Sequence, residues 1–330
     1  MSAAGYTDMR RVLLLFFAAS SAWAALPNGY TSALIFTFNV HPAANLSGFP
    51  NLISGTYAQF ADIAHGGYVN NTVTLNGQTV PADLIFTASD GSTLLSWEIE
   101  RWNNTTGAIV GWVKSDRLAA SDTLIYAYVG NSGVTTYQCT NAATWTGGSY
   151  TGVWHMPNGT TLSLYDSTTS GNNGTPGGTV SAHVGKMDGD ALFDGSTGYV
   201  KVSAAPAGTF PIVESAWVKL TTSVIANNQT EIIVSQIHLA GSAAFYCGFI
   251  GTGSGNADFR LWAQDGGANS RVGHFAVTLD TNWHYYVAIW NSTTTQTLYI
   301  DGSPQTLAYF TQGTGAPTPG SLDTTYFGAT

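Results

Sequence analysis

Dipeptides that favour tight reversals punctuate this chain: Asn76–Gly77, Asp90–Gly91, Asp194–Gly195, Asp265–Gly266 and Asp301–Gly302. Each offers residues that tolerate positive φ, which short hairpin loops need if they are to match the right-handed twist of the flanking strands. The runs between them are short and rich in strand formers, and LNGQTV and ASDGSTLL set the dipeptide directly between β-prone residues. Turn signals at this spacing suit antiparallel sandwiches rather than βαβ units. Residue usage agrees. Gly, Thr, Ser, Asn and aromatics abound, while the Lys, Glu and Arg that populate long surface helices are scarce. An all-β protein is expected, and its length allows two domains.

The first block has strand-like runs at LIFTFNV, TVTLNG, DLIFTA, SWEIERW, AIVGWVK and TLIYAYVG. In SWEIERW, Leu95, Trp97 and Ile99 share one face while Ser96, Glu98 and Glu100 share the other, the alternation of a half-buried strand. A polar stretch without periodicity, 131–149, follows, and the domain boundary is placed inside it. The second block offers GVWHM, ALFDGSTGYVKV, ESAWVKL, EIIVSQI, AAFYCGFI, DFRLWAQ, HFAVTL, HYYVAIW and TLYIDG, many strands with no helix, which reads as a jelly roll. The expected layout is a leader at 1–24, an N-terminal β-sandwich at 25–140, a linker at 141–149 and a second β-sandwich at 150–330.

The leader is read from Arg10–Arg11, the apolar run VLLLFFAA and Ala22–Trp23–Ala24, the order of charge, short apolar core and small residues that marks a secretory signal cleaved after Ala24. The mature chain is expected outside the cytoplasm, as a secreted, cell-surface or periplasmic protein with no further membrane span. Its formal net charge of −9 is spread along the sequence without a basic patch, which argues against nucleic acid as a partner. Cys139 and Cys247 lie in different blocks and are read as a pair of buried free thiols, a disulfide staying open in an oxidising compartment. Sequons such as Asn103–Asn104–Thr105 and Asn291–Ser292–Thr293 matter only where the host glycosylates.

From Tyr150 onward the motifs GVWH, D-S-x-x-x-G-N-N-G-T, ALFDGSTGYV, SAWVK, NWHYYVAIW and TLYIDG resemble those of the laminin-G/concanavalin A-like lectin superfamily of bacterial secreted proteins. The first block, with TASDGSTLLSWEIERWNNTTGAIVGWVK and TLIYAYVGN, resembles a bacterial domain of unknown function that often precedes such a module. The lectin resemblance implies a two-sheet concanavalin A-like jelly roll that frequently binds glycans and often holds a calcium ion. It also implies a final strand after TTYFGA that would return beside the first strand of the domain. On that basis the second domain is expected to be C-terminally incomplete, with an unpaired sheet edge, and a downstream anchor or further domain is possible. Fold alone does not fix function, so the site has to be argued from residues.

Glu98 and Glu100 superficially resemble the paired acids of concanavalin-fold glucanases, in which retaining hydrolysis needs carboxyls about 5 to 5.5 Å apart. A third acid is missing, the motif lies in the first block, and charges opposite an apolar face are how a strand usually meets water. Catalytic residues are therefore not expected. The seven histidines are scattered without zinc-ligand spacing, and His155 and His284 read as satisfied, half-buried side chains. No G-x-S-x-G elbow is present, and GTGSGN at Gly251–Asn256 reads as a hairpin tip. Trp154, Trp217, Trp283 and Trp290 read as core. Tyr246, Trp262 and Tyr309, near loops or alternating with polar residues, are the candidate sugar-binding aromatics.

The loop DSTTSGNNGTPGG lacks the alternating acids of an EF-hand. Asp166 is its one charged group, with Asn172 and Asn173 as amide donors of oxygen. Placed by the lectin resemblance at a jelly-roll edge, it reads either as a calcium site or as an Asx-capped turn. The expected function is an exported, non-catalytic surface protein that binds polysaccharide or glycoconjugate. A structural or adhesive spacer that binds protein is the alternative, and a truncated glycoside hydrolase is another.

Overall fold

The computed structural model describes residues 26–139, 141–147, 150–157, 159–205, 208–239, 243–253, 255–265, 270–292, 294–312, 319 and 322–328. The leader at 1–24 and Gly266 of one expected turn lie outside the described residues. The chain divides into two compact units. The first runs to Gly171 and includes Met187–Asp190, and the second comprises Asn172–Lys186 and the chain from Ala191 onward. Among the described residues, strand dominates both units, as the spacing of turn signals implied, and no helix is long and apolar enough to cross a membrane.

The first unit contains β1 (Ser32–Phe38), β2 (Leu46–Thr56), β3 (Thr72–Leu75), β4 (Gln78–Pro81), β5 (Ile85–Thr87), β6 (Ser96–Asn103), β7 (Ala108–Arg117), β8 (Thr123–Val129) and a short helix, α1 (Asn141–Trp145). Its sheets are ordered β1-β8-β5 and β2-β7-β6, with β3 and β4 as a hairpin. Phe36, Phe86, Trp97, Val113 and Ile125 meet in one core, the inward set that period-two alternation selects. The β3–β4 turn has Asn76 at φ 50° and Gly77 at φ 80°, the positive-φ pair the sequence signal required. Asp90–Gly91 works differently. Asp90 Oδ1 accepts from the Ser92 and Thr93 backbone N–H groups and Oδ2 accepts from Thr93 Oγ1. These bonds, that to the Thr93 hydroxyl foremost, lower the carboxyl pKa to about 2. Asp194 at the second DGST sequence binds Ser196 and Thr197 in the same way.

The second unit carries β9 (Thr175–Gly177), β10 (Val180–Val184), β11 (Gly189–Phe193), β12 (Tyr199–Val202), β13 (Ile212–Val218), β14 (Thr230–Ile237) and β15 (Ala244–Gly253). It continues with β16 (Asn256–Gln264), β17 (Ser270–Thr278), β18 (His284–Trp290), β19 (Gln296–Ile300), β20 (Ser303–Gln305), β21 (Ala308–Gln312) and β22 (Thr324–Phe327). The first two residues of β11 fall in the first unit. An eight-stranded sheet, β21-β17-β16-β15-β14-β22-β12-β9, packs on a four-stranded one, β13-β18-β19-β20. Between them lie Phe245, Phe249 and Phe259 of the larger sheet and Tyr286, Trp290 and Leu298 of the smaller, with Phe259 and Tyr286 stacked at 4.6 Å between centroids. This is the expected two-sheet sandwich. The GTGSGN segment is a hairpin tip as expected, with Gly253 opposite Asn256 where β15 turns into β16.

Several expectations need correction. Of the expected linker, the described residues 141–147 are not bare, because α1 packs on β6 and β7 and buries Trp145. The GVWHM run, expected as the first strand of the second sandwich, belongs to the first unit and makes only an isolated bridge, Trp154 to Asp166. Trp217 is not core. It shares strand parity with Ser215 and Lys219, stays half-buried, and packs against Tyr285, with Lys186 Nζ 5.3 Å above its ring. Cys139 and Cys247 are free thiols in different units, Cys247 buried and Cys139 partly so.

Candidate functional site

Glu98 and Glu100 do not face water. Both are buried, at 3% and 4% relative exposure, because the chain after β8 folds back over their side of β6. Trp145 Nε1 donates to Glu98 Oε2 at 2.6 Å and Ser167 Oγ donates to Glu98 Oε1 at 2.6 Å. Trp112 Nε1 donates to Glu100 Oε2 at 3.0 Å. His155 bridges the two acids, with Nε2 3.2 Å from Glu98 and Nδ1 3.3 Å from Glu100. Its ring stacks on Trp112 at 5.7 Å and lies tilted against Trp145 at 5.4 Å.

Burial alone would lower the His155 pKa, but the charges of Glu100 and Glu98 outweigh it and raise the pKa to about 9. Burial pushes Glu98 up, and the His155 charge with hydrogen bonds from His155, Ser167 and Trp145 pulls it below the usual glutamate value. Glu100 stays raised because its burial outweighs His155 and Trp112. A carboxylate–imidazolium–carboxyl lock between indole rings fixes the 150–168 segment to the sheet. Both Glu98 oxygens and Glu100 Oε2 are committed to protein donors, unlike an acid pair presented to a cleft. His155 is thus the satisfied histidine the sequence suggested. His284 is another, held by Asp301 at 2.8 Å and Asp280 at 3.1 Å.

Asp166, the expected calcium ligand, is fully buried in the first unit, whereas Asn172 and Asn173 fall in the second. Its Oδ1 accepts from the backbone N–H of Val153 and Thr168, each at 3.0 Å, and Oδ2 accepts from Thr168 Oγ1 at 3.0 Å. That is the Asx-capped turn, one of the two alternatives for this loop. The glycines at its far end have a packing reason. A Cβ on Gly178, at φ 61°, would sit 1.9 Å from Thr197 O. Among the described residues, no group of three or more His, Cys, Asp or Glu is placed to hold a metal ion.

The face of the eight-stranded sheet turned away from the core carries a different arrangement. Strand registers align Lys201, Tyr326, Ser235, Tyr246, Trp262, Val272 and Phe310 as a row running across β12, β22, β14, β15, β16, β17 and β21. With strands about 4.8 Å apart the row is roughly 29 Å long. Tyr246 and Trp262 are directly opposed and stack at 4.6 Å with an interplanar angle of 15°. Burial, offset only in part by Arg260, raises the Tyr246 hydroxyl pKa to about 12.

Beside this row the next outward positions of β16 and β17 hold Arg260 and His274, opposed in register. The Arg260 guanidinium carbon lies 5.5 Å from the ring centres of both Trp262 and Phe310. His274 stacks flat on Phe310 at 4.2 Å. Arg260 Nη2 donates to Asp258 Oδ2 at 3.2 Å. Phe310 is 48% exposed, and Tyr246, Trp262, Arg260 and His274 are partly so.

Tyr246 and Trp262 therefore come together as the sequence suggested, but Tyr309 does not join them. Its β21 position opposes Gly273, it points to the other side of the sheet, its hydroxyl donates to Gln296 O at 3.2 Å, and Arg271 covers its ring at 4.0 Å. Phe310, the next residue, takes the place expected for Tyr309. Arg260 and His274 were missed, although D-F-R-L-W-A-Q alternates so plainly that Asp258, Arg260 and Trp262 must share a face.

A two-sheet antiparallel sandwich of this strand order defines a jelly-roll class of domain. The comparisons agree with that class: residues 194–330 match the family model of the Concanavalin A-like lectin/glucanases superfamily. Residues 81–172 match a domain of unknown function, DUF2341. This is the order of domains that the sequence motifs implied. No curated protein matches the chain. Among solved structures, the receptor binding domain of botulinum neurotoxin C/D mosaic serotype is similar at 18% identity and a TM-score of 0.36, over 52% of this chain and 42% of that one. A structure described as an HCR/D mutant is similar at 17% identity and a TM-score of 0.34, over 50% and 40%. The chain thus spans less than half the length of either.

Proposed function

We propose that the second unit is a non-catalytic carbohydrate-binding module of an exported protein, and that polysaccharide or glycoconjugate lies across Tyr246, Trp262 and Phe310. The observation that carries this is the stacked Tyr246–Trp262 pair with Phe310 on the outer side of the sheet, while Phe245, Phe249 and Phe259 fill the core on the inner side. Rigid aromatic faces next to a few fixed polar groups suit a sugar, which has an apolar C–H face and a rim of hydroxyls.

A binding role rather than hydrolysis is supported by the carboxyl inventory. Glycoside hydrolysis takes a pair of acids, and Asp258 is the one carboxylate among the described strand residues of this face. Glu98 and Glu100 are committed to the His155 lock. Export is supported by the leader read from the sequence. Calcium binding through Asp166, Asn172 and Asn173 stays a proposal of the lectin resemblance. Its test is a rise in melting temperature in millimolar calcium that disappears in Asp166→Ala.

Binding of the full chain to a glycan array, repeated with Trp262→Ala, tests the carbohydrate assignment. Loss of binding at an unchanged melting temperature is the expected result. Capture of protein ligands but no glycan by the parent would favour the adhesive alternative. Hydrolysis of a β-glucan that disappears in Glu98→Gln would overturn the non-catalytic assignment.

A further inference from the structure

The polar groups on the sheet face are unequally supplied. Arg260 presents a fork of N–H donors, yet among the described residues it makes one hydrogen bond, to Asp258, and its Nε is buried without a partner. His274 Nδ1 is likewise without a hydrogen-bond partner, Asp258 Oδ2 being 3.6 Å away. Trp262 Nε1 and Tyr246 OH add donor capacity at the same place. Against these stands one carboxylate, already shared by the two basic side chains. Leaving a buried donor unfilled costs stability, and a face with the Arg260 Nε–H unfilled, a His274 nitrogen that donates in one tautomer, and further donors at Trp262 and Tyr246 is short of acceptors.

The guanidinium is also pre-organised. Held between the Trp262 and Phe310 rings, it has little rotamer freedom left to lose, and its planar fork matches a carboxylate in a way a point charge does not. In a chain with a net charge of −9, a cation placed on the aromatic row is not the general background of the surface.

Resting on the carbohydrate assignment above, we infer that the face selects acidic glycans, with Arg260 and His274 receiving the carboxylate of a uronic or similar acidic sugar while its ring rests against the solvent-facing edges of the Tyr246–Trp262 stack. Arg260 is then a specificity-determining residue and Trp262 the general sugar platform.

The test is an array of neutral glycans paired with their carboxylated counterparts, followed by calorimetry of the full chain with polygalacturonate and with its fully methyl-esterified form. The backbone is the same in both, so the difference is confined to the carboxyl group, an anion in one and a neutral methyl ester in the other. The acid should bind at least about tenfold more tightly, the gain expected of one charge-assisted pair. Arg260→Gln should abolish that preference, Arg260→Lys should keep part of it, and Trp262→Ala should weaken both polymers. Melting temperatures of the variants separate lost contacts from misfolding, and Arg260→Lys keeps the test usable if Arg260→Gln does not fold. Equal binding of neutral and carboxylated partners across the array overturns the acidic preference and leaves the carbohydrate assignment standing. A preference that survives in Arg260→Gln overturns the role of this face. Binding to dextran sulfate with none to carboxylated glycans overturns the carboxylate assignment. Binding to no glycan of either class sinks the carbohydrate assignment and this inference together.

Discussion

Glu214 is the clearest case of a single residue setting a property of the protein. It projects from β13 into the sandwich core, where Gln236 Nε2 donates to its Oε1 at 3.2 Å and its Oε2 has no hydrogen-bond partner among the described residues. Burial, only partly offset by Gln236 and Cys247, raises its pKa to about 8. In the window from about 4.5 to about 8 the folded protein keeps a proton that the unfolded chain releases, so stability falls as pH rises. By pH 7 the loss is about 3 kcal/mol. Urea melts at pH 5 and pH 7.5 should show that fall in the parent, and Glu214→Gln should flatten it. A parent curve that rises over this range would mean the carboxyl is solvated. His155 adds a second fall with the same sign. Its folded pKa of about 9 lies above the unfolded value, so its contribution is complete below about 6.5 and lost as pH rises through 9. His155→Ala should cost at least as much as the full pH effect, about 3 to 5 kcal/mol, because it leaves two buried acids without a cation. Thermal melts at pH 6 would measure it.

At the scale of elements, parity decides what each aromatic does. Trp290 on β18 is fully buried against Phe245, and Trp262 on β16 is only partly buried. Trp290→Ala should cost about 3 to 5 kcal/mol. Trp262→Ala should shift the melt only slightly while removing glycan binding, and a large loss of stability in Trp262→Ala would show that the row is structural.

Much of this was legible in the sequence. The run DFRLWAQ alternates cleanly, SWEIERW alternates as far as Ile99 before a register shift returns Trp102 to the core, and the parity of Trp217 with Ser215 and Lys219 did hold the signal that places it outside the core. AYFTQ gave no such signal, because adjacent aromatics are compatible with either register. Only the pairing of β21 with β17 sends Phe310 outward and Tyr309 inward. The strand β2 was also missed. LSGFPNLISGT carries Gly and Pro, which weaken a local strand signal, and its pairing along β7 supplies the missing stability.

At the scale of the whole molecule, the position of the first unit's end was the least legible feature, and the reason lies in Glu98 and Glu100. Alternation correctly put them opposite the core. Whether that opposite face meets water depends on chain that arrives far downstream, and no local pattern encodes it. Trp145, His155 and Ser167 join Trp112 as the donors, and ending the first domain at 140, as the expected layout does, would cut those three away. Fragments should report this directly. A fragment of residues 25–140 keeps both acids and the Trp112 donor to Glu100 but loses their cation and both non-histidine donors to Glu98, the situation in which breaking a buried pair is most costly. It should be unfolded or aggregated at neutral pH, and Glu98→Gln with Glu100→Gln should partly rescue it by removing the charges. A fragment of residues 25–171 retains the lock and lacks only the Met187–Asp190 strip, including Asp188, which accepts from Arg101 Nη1 at 2.8 Å. Because Arg101 is half exposed, that loss should cost about 1 kcal/mol or less. Dispersed amide spectra and a cooperative melt for 25–171, against neither for 25–140, are the expected outcome. A well-folded 25–140 would show that β6 tolerates its acids without the lock and would return 141–149 to the status of a linker.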